Sequence, residues 1–279
     1  MPKMTMLDYR VGKPIWCSFC GNYGLLTAVY MAMAELDVDP KDLVLVSGIG
    51  CSSRLPGFVK NYGFHSVHGR PLPIATGIKE ANPALTTLVI SGDGDALGIG
   101  GGHLIHAIRR NADITCIVVD NGLYGMTKGQ PSPTTPFGVA TSTTPYGNPD
   151  EPLNVVLLAV ALGAGFVARG YTGNIEGLKA ILQDAVNHKG FSIVHAISPC
   201  PTFNVRETYK YYTNKIAELP YGHNTEDMAD ALTLAVDGDN IYTGIFYKTE
   251  GRPTLEDLMK GAKRAAGQGD ITSMIERYR

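Results

Sequence analysis

The chain has 279 residues, with 24 Lys and Arg against 26 Asp and Glu, for a formal net charge of -2. A composition of 44% hydrophobic and 18% charged residues excludes disorder as the dominant state. With no clustered basic excess, the chain is not expected to bind nucleic acid. No apolar run nears the roughly 20 residues of a bilayer span, and the opening MPKMTMLDYRVGKP lacks a signal-type apolar core, so a cytoplasmic location off the membrane is expected.

In chain order, the pattern predicts a helix over 24–36, a buried strand over 43–46 ending at Ser47-Gly-Ile-Gly50, and a helix over 75–81. A second strand over 87–91 runs into Gly92. A helix follows over 99–110, and a third strand over 114–119 ends at Asp120-Asn-Gly122. A loop rich in Pro, Ser, Thr and Gly spans 131–152, a length that marks a functional or mobile segment. Helices over 155–162 and 175–186 precede a fourth strand over 191–197, which ends at Ser198-Pro-Cys200. Continuous apolar strands alternating with helices predict an α/β fold, a doubly wound, mostly parallel sheet with helices on both faces. Residues 1–200 would form this domain. Residues 201–279 would form an irregular C-terminal extension, packed on the same domain or on a partner subunit. Ligands of such sheets bind beyond the carboxyl ends of the strands. Glycine, at 33 of 279 residues or about 12% against a usual level of roughly 7%, concentrates between 48 and 130, where those ends fall.

The second strand end reads Gly92-Asp-Gly-Asp-Ala-Leu-Gly98. Its spacing is G-x-G-x-x-x-G, not the dinucleotide fingerprint G-x-G-x-x-G, which argues against a nicotinamide-linked dehydrogenase. An aspartate between the first two glycines would repel a pyrophosphate held by backbone alone. It suits a divalent cation bridging protein and diphosphate, because hard cations take carboxylate and carbonyl oxygens. The third strand end adds Asp120-Asn121, with 26 residues between Gly94 and Asn121.

Four of the five cysteines form a second pattern: Cys17-x-x-Cys20, then Cys51, then Cys200. The fifth, Cys116, lies in an apolar run and reads as a small buried hydrophobe. Four thiolates close a [4Fe-4S] cluster, and a structural zinc accepts the same set. Spacing alone leaves both open, with thiol redox chemistry at Cys17 and Cys20 as a third reading.

The glycine turn and Asn121 at that spacing resemble the thiamine diphosphate signature. With the four cysteines, the chain is similar to β subunits of 2-oxoacid:ferredoxin oxidoreductases. The resemblance runs from Trp16-Cys-Ser-Phe-Cys-Gly21 through Gly50-Cys-Ser-Ser53, His68-Gly-Arg70, Gly92-Asp-Gly-Asp95 and Asn121-Gly-Leu-Tyr-Gly-Met-Thr-Lys-Gly-Gln130 to Ser198-Pro-Cys-Pro201. It implies thiamine diphosphate, Mg²⁺ and a [4Fe-4S] cluster as cofactors. Asp93, Asn121 and the Leu123 carbonyl would hold the Mg²⁺, and Cys17, Cys20, Cys51 and Cys200 the cluster. Most thiamine diphosphate proteins carry paired asparagines where this chain has Asp120-Asn121, so only Asn121 is matched there.

The resemblance also implies a cofactor lining. Ile49, Gly50, Cys51 and Ser52 would contribute to it, as would His68 and Gly69, then Gly92, Gly94 and Asp95. Gly125, Met126 and Thr127 would cover the diphosphate and the reacting end. His68 is a candidate catalytic residue, and Arg54 and Lys128 are candidate cations for a substrate carboxylate. Cys51-Ser-Ser-Arg-Leu-Pro56 resembles members that use 2-oxoglutarate. The implied activity is coenzyme A-dependent oxidative decarboxylation of a 2-oxo acid, best 2-oxoglutarate to succinyl-CoA and CO₂, or the reductive reverse, with electrons passed to ferredoxin. The family takes its aminopyrimidine carboxylate from another domain, so an α or fused γα partner is expected, as a dimer of heterodimers. A redox-neutral thiamine diphosphate decarboxylase component would not need the cysteines, and a non-catalytic electron-transfer subunit would not need Asp93 and Asn121.

Overall fold

In the computed structural model, residues 3–266 and 275–276 are described. A 3-10 turn (Met6–Tyr9) precedes α1 (Asn22–Glu35), β1 (Leu43–Ser47), a second 3-10 turn (Ser52–Phe58), β2 (Tyr62–His65) and α2 (Pro71–Ala81). Next come β3 (Thr86–Gly92), a π-type turn (Gly94–Ile99), α3 (Gly101–Arg110), β4 (Thr115–Asp120) and a two-stranded ribbon, β5 (Leu123–Tyr124) with β6 (Gln130–Pro131). Then follow α4 (Val155–Ala161), β7 (Phe166–Tyr171), α5 (Ile175–Asn187), β8 (Ser192–Ile197), α6 (Tyr209–Lys215), β9 (Ile216–Glu218), α7 (Met228–Ala235), β10 (Ile241–Lys248) and α8 (Leu255–Ala266). None of the described helices is long and apolar enough to cross a membrane.

The sheet has eight strands in the order β2-β1-β3-β4-β8-β7-β10-β9. All pairings are parallel except β10 with β7. Its central strands are apolar runs buried on both faces, such as Leu43-Val-Leu-Val-Ser47 and Thr115-Cys-Ile-Val-Val119, as crossover helices on both sides require. Alternation divides the core. Leu43, Leu45, Leu88 and Ile90 pack under α1 and α5, while Val44, Val46, Val89, Cys116 and Val118 pack under α2, α3 and α4. Cys116 is fully buried, as its apolar surroundings predict.

The helix starts follow capping chemistry. Pro71 opens α2, where a missing N–H costs nothing, and the Asn154 and Asn174 side chains accept from Leu157 and Gly177 N–H to open α4 and α5. α1 begins two residues before the predicted start. A Cβ on Gly24 would lie 2.1 Å from the Thr172 carbonyl, so the helix rests directly on the loop after β7. The expected helix over 99–110 begins at Gly101, because Gly94–Ile99 form the π-type turn, with Gly98 outside helical geometry and Gly100 as the cap between the two.

The C-terminal extension differs from the irregular arm that the sequence predicts. It contributes two strands, β9 and β10, to the main sheet, and β10 pairs antiparallel with β7. The loop over 131–152 is tied down by a hydroxyl near its start and an amide near its end: Thr135 Oγ1 donates to the Gly122 carbonyl at 2.6 Å, and Asn148 Nδ2 to the Thr135 carbonyl at 2.8 Å.

Candidate active site

The carboxyl ends of β1, β3 and β4 open onto a cavity of ≈ 220 Å³, where a doubly wound sheet binds ligands. The turn after β1 supplies Ile49, Gly50, Cys51 and Ser52. The glycine turn after β3 supplies Gly92, Asp93, Gly94 and Asp95, and His68 joins from the loop before α2. From β4 and the ribbon come Asn121, Leu123, Gly125, Met126 and Thr127. Gly69 sits behind the wall, where its N–H donates to Asp95 Oδ1 at 2.7 Å. Its φ of +71° and a Cβ position 2.3 Å from Ile99 Cγ2 restrict it to glycine.

Asp95 ties three strand-end segments together. Its Oδ1 accepts from Ile49 N–H at 3.0 Å and pairs with His68 Nδ1 at 2.7 Å, while Oδ2 accepts from the Ser91 hydroxyl. A Cβ on Gly48 would lie 1.8 Å from that Oδ2. Asp95 therefore builds the wall as well as lining the cavity. His68 is held at Nδ1 and partly exposed, leaving Nε2 as the ring atom available to a substrate.

Asp93 is almost fully buried and accepts from the Ser132 hydroxyl and from Thr134 Oγ1, the latter at 2.8 Å. Burial, and then the nearby Asp120 charge, push its carboxyl up to about 8, against the hydroxyls and the Gly94 N–H. Burial also opposes charge on Asp120. His195 and Thr134, with the Gly122 N–H, outweigh it and hold that carboxyl below its ordinary value. A buried and a partly buried carboxylate of unequal basicity, beside an Asn side chain and a strand-end carbonyl, are an oxygen-rich set that a hard divalent cation suits. Asn121 Oδ1 accepts from Leu123 N–H at 3.1 Å, and Asn204 Nδ2 donates to the Asn121 carbonyl at 3.0 Å. Asn121 is thus fixed from both sides, once by its own turn and once by the C-terminal extension.

The cysteine segments meet at one corner of the cavity. Gly21 N–H donates to the Pro199 carbonyl at 3.0 Å, and a Cβ at Gly21 would lie 2.5 Å from Ser198 Oγ, so the C-x-x-C turn and the Cys200 segment are in backbone contact. Trp16 Nε1 donates to the Cys51 carbonyl at 2.7 Å and joins the third segment. The thiols sense one another. Burial, then Cys200, Cys51 and Cys17, push Cys20 up to about 12, and burial, then Cys200 and Cys17, raise Cys51. Among the described residues, no three His, Cys, Asp or Glu side chains stand at metal-holding distances. The four thiols converge without closing to ligation. The donor set itself fits a soft metal centre, since the four sulfurs share one neighbourhood.

Arg54 and Lys128 stand apart from this cavity. Arg54 is an exposed residue of the 3-10 turn Ser52–Phe58, near enough to Cys51 to oppose, without reversing, the rise in its thiol pKa. Lys128, at a φ of +76°, lines a neighbouring cavity of ≈ 580 Å³ between the 131–152 loop and residues 203–211. Tyr124 was not singled out from sequence. Its hydroxyl donates to the Gly94 carbonyl at 3.0 Å, and a Cβ on Gly94 would lie 2.1 Å from its ring, so its ring covers the glycine turn. Ser132, Thr134 and His195 were also missed. His195 left one signal, a lone imidazole inside the apolar run 191–197.

A sheet that presents a Gly-Asp-Gly turn and an Asn loop to one cavity is a thiamine diphosphate-binding domain, and residues 48–196 match the family described as "Thiamine pyrophosphate enzyme, C-terminal TPP binding domain". Residues 200–264 match the family described as the C-terminal part of the pyruvate ferredoxin oxidoreductase β chain. A 2-oxoacid:ferredoxin oxidoreductase β subunit from Saccharolobus solfataricus is 45% identical over 265 residues, 90% of this chain and 87% of the relative. A 2-oxoglutarate synthase subunit KorB from Methanocaldococcus jannaschii is 44% identical over 189 residues, 68% of this chain and 70% of the relative. The solved 2-oxoglutarate:ferredoxin oxidoreductase of Magnetococcus marinus, with 2-oxoglutarate, coenzyme A and succinyl-CoA bound, is similar at a TM-score of 0.95 and 40% identity, covering 100% of this chain and 97% of that one. The chain belongs to the β subunits of the 2-oxoacid:ferredoxin oxidoreductases.

Proposed function

We propose that this β subunit holds thiamine diphosphate through Mg²⁺ and carries a [4Fe-4S] cluster. With an α or fused γα partner, it would catalyse coenzyme A-dependent oxidative decarboxylation of 2-oxoglutarate to succinyl-CoA and CO₂, or the reverse, with ferredoxin as electron carrier. One observation carries the reading: the turn at Cys51 lines the cavity and joins the corner of four thiols. When bound, thiamine diphosphate supplies the electron sink that a departing carboxylate needs, and an adjacent cluster takes electrons singly. Asp93, Asn121 and the Leu123 carbonyl would hold the cation. Asp95 positions the Ile49 turn and fixes His68 by Nδ1, so that Nε2 can hold or pass a proton at the substrate. Arg54 and Lys128 each follow a cavity-lining residue by one or two positions, and they would suit the second carboxylate of a dicarboxylic 2-oxo acid.

The test is viologen reduction by the complex isolated anaerobically with its co-purifying partner, using 2-oxoglutarate, pyruvate and a branched 2-oxo acid, each with and without coenzyme A. Coenzyme A-dependent reduction with 2-oxoglutarate preferred supports the reading. Arg54→Ala should then raise the KM for 2-oxoglutarate more than that for pyruvate. No reduction with any acid, in a preparation that retains iron, sulfide and thiamine diphosphate, would overturn it.

A further inference from the structure

Behind the cavity, three side chains with no part in the proposed reaction form a line across three adjacent strands. Arg169 on β7 and His195 on β8 are register partners, and His195 lies beside β4, whose last residue is Asp120. Arg169 Nε donates to His195 Nδ1 at 3.1 Å, and His195 Nε2 pairs with Asp120 Oδ2 at 2.8 Å. Guanidinium nitrogens only donate, so Nδ1 is the accepting nitrogen and Nε2 carries the proton toward Asp120. The imidazole is thereby held in one neutral tautomer between a cation and a carboxylate. Arg169 is itself fixed from the C-terminal extension, with its guanidinium carbon 5.2 Å from the Phe246 ring centroid and Nη1 donating to the Tyr242 carbonyl at 3.3 Å. Arg169 and His195 are 7% and 8% exposed.

The line continues outward to the cavity. Asp120 Oδ1 accepts from Gly122 N–H at 2.9 Å and lies 2.8 Å from Thr134 Oγ1, which is also 2.8 Å from Asp93 Oδ2. One hydroxyl has one proton, so the orientation of Asp120 decides what Thr134 offers to Asp93. The network has backbone anchors at the Tyr242 carbonyl and the Gly122 N–H, but it also runs on past them. It ends on a carboxylate that lines the cavity.

We propose that His195 is a positioning residue: locked by Arg169, it fixes Asp120 and, through the Thr134 hydroxyl, the orientation of Asp93, and so sets how much Mg²⁺ is needed to retain thiamine diphosphate. The proposal rests on the reading of Asp93 as a cation ligand. It also gives the C-terminal extension a part in cofactor retention, since Tyr242 and Phe246 hold the far end of the line.

The test uses the complex with its partner, stripped with a chelator and refilled with thiamine diphosphate while Mg²⁺ is varied. Bound thiamine is read after filtration, and the thermal midpoint is measured in parallel. Thr134→Val and His195→Phe should each raise the half-saturating Mg²⁺ within the roughly 10–100-fold range typical of residues that orient metal ligands. His195→Gln, whose amide nitrogen can stand where Nε2 does, should recover most of that loss. If His195→Phe yields no complex, His195→Asn, too short to reach Asp120, takes its place. Mg²⁺ curves for the His195 variants that overlay the unaltered protein, whatever their thermal midpoints, would overturn the proposal. Retention by the unaltered complex that ignores Mg²⁺ would instead overturn the cation reading on which it rests, and the proposal with it.

Discussion

The two ends of the parallel sheet treat the same residue type in opposite ways. At the amino end, Asp113 accepts from Lys79 at 3.0 Å, Lys189 at 2.8 Å and Gly190 N–H at 3.0 Å. The buried Lys79 ammonium is completed by the Leu85 carbonyl at 2.7 Å. Burial opposes the charge on Asp113, but Lys189, Gly190 and Lys79 outweigh it and hold the carboxyl below its ordinary value. At the carboxyl end, Asp93 and Asp120 share a single hydroxyl, and Asp93 is pushed up to about 8. One end satisfies its charges with protein cations and is structure. The other gathers carboxylate oxygens at a cavity with no lysine or arginine paired to Asp93 among the described contacts, a setting in which a ligand cation would be favoured.

This contrast can be broken from either side. The largest effect is expected at the thiol corner: Cys200→Ser should abolish viologen reduction and lower the iron content, while thiamine diphosphate retention stays near that of the unaltered complex. Loss of both cofactors together would mean that the corner and the cavity are one structural unit. At the amino end, Asp113→Asn should cost about 3 kcal/mol, the scale for a buried cation that loses its partner. Thermal or urea unfolding checks this, and Mg²⁺-dependent cofactor retention should not change. Since the folded pKa of Asp113 is depressed, its contribution is fully present above the unfolded value near 3.8 and is lost as pH falls below it. Asp113→Asn should therefore flatten the acid limb of the stability profile. Gly48→Ala, which drives a methyl into Asp95, should destabilise by about 1–3 kcal/mol and raise the KM through the displaced Ile49 turn. Lys41→Ala sets the floor. Its pairs with Asp39 and Asp42 are exposed, and no measurable change in Tm is expected.

What the sequence revealed follows from which signals survive in one dimension. The central strands were legible because burial on both faces demands unbroken apolar runs. The chemistry at their ends was legible because Gly-Asp-Gly and Asn121 need no partner from far away. β7, Phe-Val-Ala-Arg-Gly-Tyr, escaped because Arg169 and Gly170 interrupt it, although Arg169 is there to meet His195. β2 is a four-residue edge strand with every residue exposed, and β10 carries a register shift and Gly244 at a φ of +135°. Neither shows a clean period. The resemblance implies Asp95 only as cofactor lining, and geometry alone shows it also bonded to Ile49, His68, Gly69 and Ser91. Ser132 and Thr134 belong to a loop whose composition says nothing about the Asp93 carboxylate it reaches across about 40 residues of chain.

The most direct test of the carboxyl end as the cofactor site is thiamine diphosphate titration into the chelator-treated complex, with and without Mg²⁺, for the unaltered protein, Asp93→Asn and Asp113→Asn. The account predicts Mg²⁺-dependent binding in the unaltered protein and in Asp113→Asn. In Asp93→Asn it predicts a loss of affinity at least as large as the roughly 10–100-fold seen for residues that only support a ligand. Equal, Mg²⁺-dependent binding in Asp93→Asn would contradict it.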